Sequence, residues 1–377
     1  MLRLQRRSRP FCVSAAAERG FMDLHTAVSV SMLPGSRGRL AAAFRAIAEQ
    51  QPGISLEGFL ETQPVSADER GPMSAAARDA ATAALGRAPA VGASVIPWFD
   101  DDYPALLGCI HDPPPVLWVR GDRTALYRPM VAIVGSRAAT PYAIEVAAKL
   151  AAELASQGIV VVSGLARGVD SSAHRGCLDT GGPTVAVLGS GVDRVYPAEH
   201  RDLARMISDN GCVISELAPG ATPRPEHFPL RNRIISGISL GVVVVEASEK
   251  SGSLITARCA LEQGRDVLAV PGSVLSGRNR GSHSLIKDGA KVVENADDIL
   301  EELGWPVGPQ TAPAVKSLIK DPLLARMEAG ESYRLDDLVG ATGVAPSELL
   351  TRLMELELRG LVRVISPGRF ALVPGTI

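Results

Sequence analysis

Seven short apolar runs between residues 130 and 293 constrain the fold most strongly, because none of them alternates with polar residues. They are Met130–Val134, Ile159–Ser163, Thr184–Leu188, Cys212–Ser215, Leu240–Val245, Asp266–Val270 and Ala290–Val293. Helical patterns separate most of them: Pro141–Gln157, Asp170–Thr180, Pro197–Asp209, Ser253–Gln263 and Asn295–Leu303. Strands without alternation are buried on both faces, and intervening helices make them parallel. We therefore predict an α/β fold with a doubly wound, mostly parallel Rossmann-like sheet that binds ligands at the carboxyl ends of its strands.

The regions around this sheet predict further domains. Residues 1–92 are Ala-rich and predict a small helical N-terminal domain, and residues 93–304 hold the sheet, which the strand-like run Val116–Val119 precedes. A Pro- and Gly-containing linker, 305–319, leads to a last domain, 320–377. That domain contains three helical patterns and a hairpin: Pro322–Ala329, Arg334–Val339, Pro346–Leu358, and Leu361–Ile365 with Arg369–Leu372. Three helices and a two-stranded hairpin predict a winged-helix-like domain.

Composition and charge exclude several classes of protein. The net charge of −2 means that a polyanion would be bound by a local patch rather than by a generally basic surface. The five cysteines form no C-x-x-C pair, so we expect neither a disulfide framework nor a zinc ribbon. The arginine-rich start is followed by no apolar segment, and no apolar run approaches the ~20 residues that span a bilayer. We expect a cytoplasmic protein without membrane attachment.

The motifs of common nucleotide-binding proteins are missing. The sequence has no G-x-x-x-x-G-K-[ST] motif and no Gly-Lys dipeptide, which excludes a P-loop ATPase. Gly189–Arg194 begins like G-x-G-x-x-G, but Arg194 occupies the position of the third glycine, and the segment follows the third strand rather than the first. A dinucleotide site is therefore not expected, and we predict no cofactor and no metal.

The loops at the carboxyl ends of the strands instead share small and basic residues. Gly135-Ser136-Arg137 follows the first strand, 163–168 the second, 227–237 comes after the fourth, 251–256 follows the fifth, and 271–287 follows the sixth. Each loop alone fits an ordinary tight turn, helix cap or surface cation. Five such loops at one sheet edge favour an extended polyphosphate-type ligand, held by backbone N–H groups and arginines. Phe228 fits either a base-stacking platform or a core phenylalanine.

These loops closely resemble the DNA processing protein A (DprA/Smf) family. The resemblance lies in Val131–Arg137, Ser163–His174, Phe228–Gly237, Ser251–Ala257, Ala269–Gly272 and Leu285–Ala290, and it extends over roughly residues 95–303. The C-terminal block is similar to the winged-helix extension of that family, and residues 1–92 correspond to its helical, SAM-like domain. The resemblance implies a non-catalytic mediator of recombination that binds single-stranded DNA. Such a protein protects incoming DNA during natural transformation, loads RecA onto it and acts as a homodimer, with single-strand-binding protein as a further partner.

Site residues follow from the resemblance position by position. The implied DNA-binding residues are Gly135, Ser136, Arg137, Ser163, Gly164, Arg167, Gly168, Phe228, Arg231, Asn232, Arg233, Ser251, Gly252, Ser253, Thr256 and Lys287. Two positions depart from the family pattern: Leu230 stands where a basic residue is common, and His283 where asparagine is common. Both departures affect the strength of the pocket, but the basic set remains.

Two other classes of protein compete with this interpretation. The phosphoribohydrolases of the lysine-decarboxylase-like group carry P-G-G-x-G-T-x-x-E, whose glutamate serves catalysis, whereas the corresponding loop, Lys250–Ala257, has no acidic residue. A winged-helix transcription factor needs a basic recognition helix. Helix Ser347–Leu358 carries Glu348, Glu355 and Glu357 against Arg352. We therefore favour a protein-contact or weak accessory role for the C-terminal module over duplex binding.

Overall fold

The computed structural model describes residues 23–51, 53–305, 323–327, 332–358, 362–366 and 368–372. The chain divides into two compact units with a boundary between Pro306 and Val307. The linker predicted at 305–319 therefore lies outside the described residues, except for Trp305, which is partly buried against the core of the first unit.

Between residues 23 and 92, the described part of the chain forms four helices before the sheet: α1 (Leu24–Met32), α2 (Arg37–Gln50), α3 (Leu56–Glu61) and α4 (Ala67–Arg87). Their contacts are aromatic and aliphatic: the rings of Phe44 and Phe59 meet edge to face with centroids 6.4 Å apart, and Phe44 meets Trp98 at 6.0 Å. The same core includes Trp118 and Ile207 of the sheet region. The helical region predicted for residues 1–92 is thus present from residue 23 onwards, and it packs into one unit with the sheet.

Nine strands form the sheet: β1 (Ala93–Pro97), β2 (Val116–Gly121), β3 (Met130–Val134), β4 (Val160–Ser163), β5 (Thr184–Val187), β6 (Cys212–Ser215), β7 (Gly241–Val244), β8 (Asp266–Ala269) and β9 (Lys291–Val292). Their order is β1-β2-β6-β5-β4-β3-β7-β8-β9. The seven strands from β3 to β9 pair in parallel, whereas β2 is antiparallel to β6 and β1 to β2. All seven predicted strands are confirmed.

Helices cover both faces of this sheet: α5 (Ala105–Gly108), α6 (Pro141–Ser156), α7 (Val169–Asp179), α8 (Arg201–Asn210), α9 (His227–Gly237), α10 (Ser253–Glu262), α11 (Arg280–Lys287) and α12 (Ala296–Glu302). The helix predicted at Pro197 begins only at Arg201, after a 3-10 turn. Successive side chains of β3 enter different cores: Ala132 packs with Ile234 of α9, and Ile133 packs with Leu150 of α6. Burial on both faces explains why β3 lacks alternation, and the predicted doubly wound fold is confirmed.

The second unit contains β10 (Ser332–Arg334), α13 (Leu335–Thr342), α14 (Pro346–Leu358), β11 (Val362–Ser366) and β12 (Arg369–Leu372). Leu338, Leu353 and Phe370 are buried in its core. The hairpin is extended to three strands in the order β10-β12-β11, so the prediction of two strands was wrong. Arg334, predicted to start a helix, ends β10. Of the helix predicted for Pro322–Ala329, the described part forms only the 3-10 turn Leu324–Arg326.

Candidate functional site

An open pocket of about 620 Å³ lies beyond the carboxyl ends of β3 and β7. The order of the strands reverses beside β3, because the chain moves outward through β4, β5 and β6 and then returns to β7. Loops that leave the two sides of such a reversal diverge and open a crevice. Ten of the predicted residues line the pocket: Gly135, Ser136, Arg137, Phe228, Arg231, Asn232, Ser251, Gly252, Ser253 and Thr256.

One wall of the pocket combines aromatic rings with guanidinium groups. Phe228 of α9 lies with its ring centroid 5.5 Å from Cζ of Arg137 and 5.8 Å from Cζ of Arg231. Tyr196 packs against the same ring with centroids 5.4 Å apart and an interplanar angle of 49°. Guanidinium groups at these distances are attracted by the ring quadrupole. Phe228 is half-buried in the pocket wall and belongs to none of the hydrophobic cores, which argues against the core alternative and leaves base stacking as a prediction.

Arg231 connects α9 to the ends of two strands. It is buried and donates hydrogen bonds from Nη1 to the carbonyl oxygens of Gly164 and, over 2.8 Å, of Val187. Its Nη2 lies 3.9 Å from Oδ2 of Asp170. Burial lowers the pKa of Arg231 to about 10, against the opposing effect of Asp170, so the group stays charged at neutral pH. Arg231 therefore brings a fixed positive charge to the floor of the pocket.

The loop after β3 is held from behind by Glu246. The backbone N–H of Ser136 donates to the carbonyl oxygen of Glu246 over 2.7 Å, and the hydroxyl of Thr140 donates to Oε2 of the same residue over 2.7 Å. Thr140 also caps α6 by accepting the N–H of Ala143 over 3.2 Å. Arg137, between these anchors, is exposed. The sequence alone did not reveal Glu246, because an acidic residue at a strand end carries no signal of its own.

The loop after β4 is organised by Asp170, which sequence reasoning also missed. Its Oδ2 accepts the backbone N–H groups of Gly164 over 3.1 Å and of Ala166 over 3.3 Å. Leu165 between them adopts a left-handed conformation with φ of 57°. Burial raises the pKa of Asp170, whereas Arg231 and these N–H groups act in the opposite direction. Because Asp170 takes both N–H groups, they are not free for an anion, which corrects the expectation for this loop.

The start of α10 opens into the pocket. The hydroxyls of Ser251 and Ser253 are 2.7 Å apart, and the N–H of Ser253 donates to Oγ of Ser251 over 3.4 Å. Gly252 is exposed, and a Cβ at this position would meet nothing within 4 Å. Nδ2 of Asn232 donates to the carbonyl of Gly252 over 3.4 Å, which ties α9 to this loop. The loop thus presents hydroxyls and a helix N-terminus, a combination that favours anions.

Six predicted residues lie outside this pocket. Gly164 and Arg167 line a recess of about 30 Å³ that shares Arg137, Phe228 and Arg231 with the pocket. The guanidinium of Arg167 forms an ion pair with Glu199 at 2.5 Å and is not a free cation. Four residues line neither space: Ser163, Gly168, Arg233 and Lys287.

Of these four residues, the buried Ser163 and Arg233 correct the prediction, whereas the contacts predicted for Gly168 and Lys287 stay predictions. Ser163 is fully buried and donates to the carbonyl of Ile133, and Gly168 supports the backbone of the loop with φ of 75°. Lys287 is exposed in the last turn of α11. Arg233 is buried, with Nη2 2.5 Å from Oε2 of Glu216 and Nε 3.3 Å from Oδ2 of Asp112. Its charge is used inside the protein, so Arg233 is not a phosphate contact.

Neither a metal site nor a membrane-spanning helix is present in the described part of the chain. The His, Cys, Asp and Glu residues there form no group of three that could hold a metal ion. None of the helices described has the length and apolar character that crossing a bilayer requires.

Comparison with known proteins decides the family. The family model for DNA recombination-mediator protein A matches residues 94–304, which is the sheet with its pocket. The chain belongs to this family. A second family model, the DprA winged helix domain, matches residues 307–366. The resemblance to DprA/Smf found in the sequence is thereby confirmed.

Similar members of the family come from several bacteria. DNA processing protein DprA of Streptococcus pneumoniae is 46% identical over 203 residues, which cover 54% of this chain and 72% of the relative. Protein Smf of Escherichia coli is 38% identical over 284 residues, which cover 73% and 76% of the two chains.

Two solved structures share the fold. The crystal structure of DprA from Streptococcus pneumoniae matches with a TM-score of 0.67 and 33% identity, and covers 75% of this chain and 99% of that one. DNA processing protein A from Helicobacter pylori, whose structure was described for its single-stranded DNA binding mode, matches with a TM-score of 0.51 and 30% identity. The match covers 56% of this chain and 95% of that protein.

Proposed function

We propose that this protein binds single-stranded DNA in the pocket beyond β3 and β7 and acts as a mediator of recombination that protects incoming strands and loads RecA onto them. The observation that carries the proposal is the wall formed by Phe228, Tyr196 and Arg137. A single strand offers unstacked bases and a charged backbone, and proteins that bind it combine aromatic platforms with cations. The described structure of a Helicobacter pylori relative that binds single-stranded DNA supports the same function.

The electrostatics of the pocket suit a phosphate backbone. Arg137 is exposed, and its guanidinium contacts the ring of Phe228. Arg231 contributes a second charge from below, and Ser251 and Ser253 provide hydroxyls at the start of α10. The chain as a whole has a net charge of −2, so the basic residues of the pocket attract the DNA strand as a local positive patch on a protein that is not generally basic. Contacts of this kind bind without regard to base sequence.

We infer that the pocket is not catalytic. Among the described residues that line it, Asp170 is the only carboxylate, and its Oδ2 already accepts two backbone N–H groups. The loop that carries the catalytic glutamate in the phosphoribohydrolases lines the pocket here with Ser251, Gly252 and Ser253. Release of ribose 5-phosphate from a nucleoside monophosphate by the purified protein would contradict the non-catalytic role.

The remaining partners belong to the same proposal. We infer a cytoplasmic homodimer that hands the strand to RecA in exchange with single-strand-binding protein. The edge strand β9 pairs only with β8 among the described strands, and its Val292 is 40% exposed. An open strand edge with an exposed apolar side chain suits self-association. Light scattering on the purified protein measures the oligomeric state directly, and a monomer at working concentration would contradict the dimer.

For the winged-helix-like unit we propose protein contact rather than duplex binding. Arg352 of α14 lies 2.6 Å from Glu355, so its charge is balanced within the helix. Leu350 and Met354 are 42% and 57% exposed on the same helix. An acidic helix with exposed apolar residues suits a protein partner better than the phosphates of a major groove. Tight binding of duplex DNA by residues 307–377 alone, tested beside the full chain, would contradict this role.

A direct test of the proposed function compares ligands and aromatic variants. The full chain is titrated with single-stranded DNA, duplex DNA and a mononucleotide over a range of salt concentrations. We expect the single strand to bind most tightly, and Phe228→Ala to weaken it by about 1–3 kcal/mol, the usual contribution of one stacked base. Tyr127→Ala is the matched control, since Tyr127 is 54% exposed and precedes the amino-terminal end of β3, whereas the pocket lies at the carboxyl end. Equal affinities of wild type and Phe228→Ala for the single strand would refute the assignment.

A further inference from the structure

The loop between β8 and α11 exposes two apolar side chains beside the pocket. Val274 is 80% exposed and Leu275 is 95% exposed, the highest values among the large apolar residues described. We call these two residues the apolar tip. Exposed apolar side chains that stand next to each other on a surface mark contact sites more often than isolated ones do.

The loop that carries the apolar tip is attached to the rim of the pocket. Nη1 of Arg278 donates to the carbonyl oxygen of Ala138 over 2.7 Å, and Ala138 lines the pocket directly after Arg137. On the other side of the loop, the hydroxyl of Tyr142 donates to the carbonyl of Pro271 over 3.3 Å. The apolar tip is therefore continuous with the binding site rather than a separate surface.

The neck of the loop is packed tightly enough to hold the tip outward. Asn279 is 5% exposed and donates from Nδ2 to the carbonyl of Ser273 over 3.3 Å. A Cβ on Gly272 would lie 2.4 Å from the side chain of Asn279, so the backbone and this side chain are in close contact. Nε2 of His283 lies 3.1 Å from the carbonyl oxygen of Gly272, as a further tie. These contacts oppose collapse of the tip onto the protein.

The charges around the apolar tip fit nucleic acid. From Pro271 to Lys287 the chain has no acidic residue, and Arg278 and Arg280 follow Leu275 after three and five residues. Both are exposed, although Arg280 approaches Glu249 at 3.7 Å. Apolar side chains next to basic ones match the alternation of base faces and phosphates in an unpaired strand.

We propose that Val274 and Leu275 pack against the bases of the DNA strand where it leaves the pocket, and that they separate neighbouring bases there. The inference rests on the proposed function, because it assigns the path of the strand beyond the pocket. Phosphates adjoining these bases lie near Arg278. The apolar tip thus lengthens the binding site in the direction of the β8–α11 loop, and it keeps the emerging strand unstacked.

The test uses the full chain with Val274→Ser and Leu275→Ser combined. A strand that extends beyond the pocket carries 2-aminopurine, whose fluorescence rises when it is unstacked. We expect the double variant to bind this strand about tenfold more weakly, because the apolar area buried at the tip is lost. We also expect the fluorescence rise to disappear, while affinity for a short oligonucleotide that only fills the pocket stays the same. Met206→Ser is the matched control, since Met206 is 42% exposed on α8 and outside the pocket.

The outcomes distinguish this inference from the proposed function. If wild type binds no single-stranded DNA, the proposed function fails. If wild type binds, Phe228→Ala weakens binding and the tip variant retains both affinity and fluorescence rise, only the inference about the tip is overturned. A tip variant that keeps its DNA affinity but loses self-association in light scattering would also overturn it, since the partner of the tip would then be a second copy of the chain.

Discussion

Replacing Arg137 by alanine tests the phosphate role of the pocket most simply, because its guanidinium forms no hydrogen bond or ion pair with another described residue. It is exposed, and apart from Phe228, whose centroid is 5.5 Å from its Cζ, no described residue binds its guanidinium. The variant should therefore fold with unchanged stability. For a single strand, each neutralised phosphate contributes about 0.7 to the slope of log K against log salt. We expect the slope to flatten by about that amount.

The affinity of this variant should fall as well, since a hydrogen bond to a charged group contributes about 1.5–3 kcal/mol. Arg137→Lys separates charge from stacking, because lysine keeps the charge but loses the planar contact with Phe228. We expect Arg137→Lys to restore the salt slope but only part of the affinity. Fluorescence anisotropy with a labelled oligo-dT strand, repeated at several salt concentrations, measures both quantities.

The control for Arg137→Ala removes the same charge elsewhere. Arg128 is exposed and precedes the amino-terminal end of β3, away from the pocket at the carboxyl end. It donates to the carbonyl of Gly158 over 3.1 Å. Arg128→Ala should leave the salt slope unchanged. The reasoning is refuted if Arg137→Ala keeps the wild-type slope, or if Arg128→Ala flattens it equally.

Three further predictions concern the frame of the pocket. Arg233→Met should destabilise the protein by about 3–5 kcal/mol in chemical denaturation, because it removes the ion-pair partner of the buried carboxylate of Glu216 and of the partly buried carboxylate of Asp112. The folded variant should keep the wild-type salt slope, and a flattened slope would restore Arg233 as a phosphate contact. His174 is fully buried, and burial lowers its pKa to about 3, so below pH 6.5 the unfolded state binds a proton that the folded state does not. The free energy of unfolding should therefore fall by about 2 kcal/mol between about pH 6.5 and about pH 5, and His174→Asn should abolish this loss; identical pH profiles would contradict it. Gly168→Ala should lower both the melting temperature and the DNA affinity, because its φ is 75° and a Cβ would lie 2.3 Å from the carbonyl oxygen of Ser136; wild-type values for both would show that the loop adapts.

The sheet could be predicted from the sequence because its strands are buried on both faces. A run such as Gly241–Val244 has no polar residue to obscure it. Strand ends therefore agreed with the structure to within one or two residues. The helix before this run, α9, was interpreted as part of a loop, because residues 231–237 are all buried and show no apolar periodicity. Loops that follow parallel strands must meet at one edge, so the location of the pocket followed from the same pattern.

The roles of individual side chains could not be predicted, because they depend on tertiary contacts. Arg231 and Arg233 are two residues apart on α9, and they look equivalent in the sequence. A helix turns about 200° over two residues, so one guanidinium faces the pocket floor and the other faces Asp112 and Glu216. Tyr196 was missed for a similar reason, since it reaches Phe228 from the loop after β5, whose partial glycine motif does not include it.

Photo-crosslinking tests the central claim, that a DNA strand occupies this pocket, most directly. The full chain is irradiated in complex with a single strand that carries a halogenated uracil, and the crosslinked peptides are identified by mass spectrometry. We predict crosslinks to the peptides that contain Phe228 and Tyr196, and their loss when Arg137→Ala is irradiated under the same conditions. Crosslinks confined to residues 307–377, with none on the pocket wall, would contradict the account.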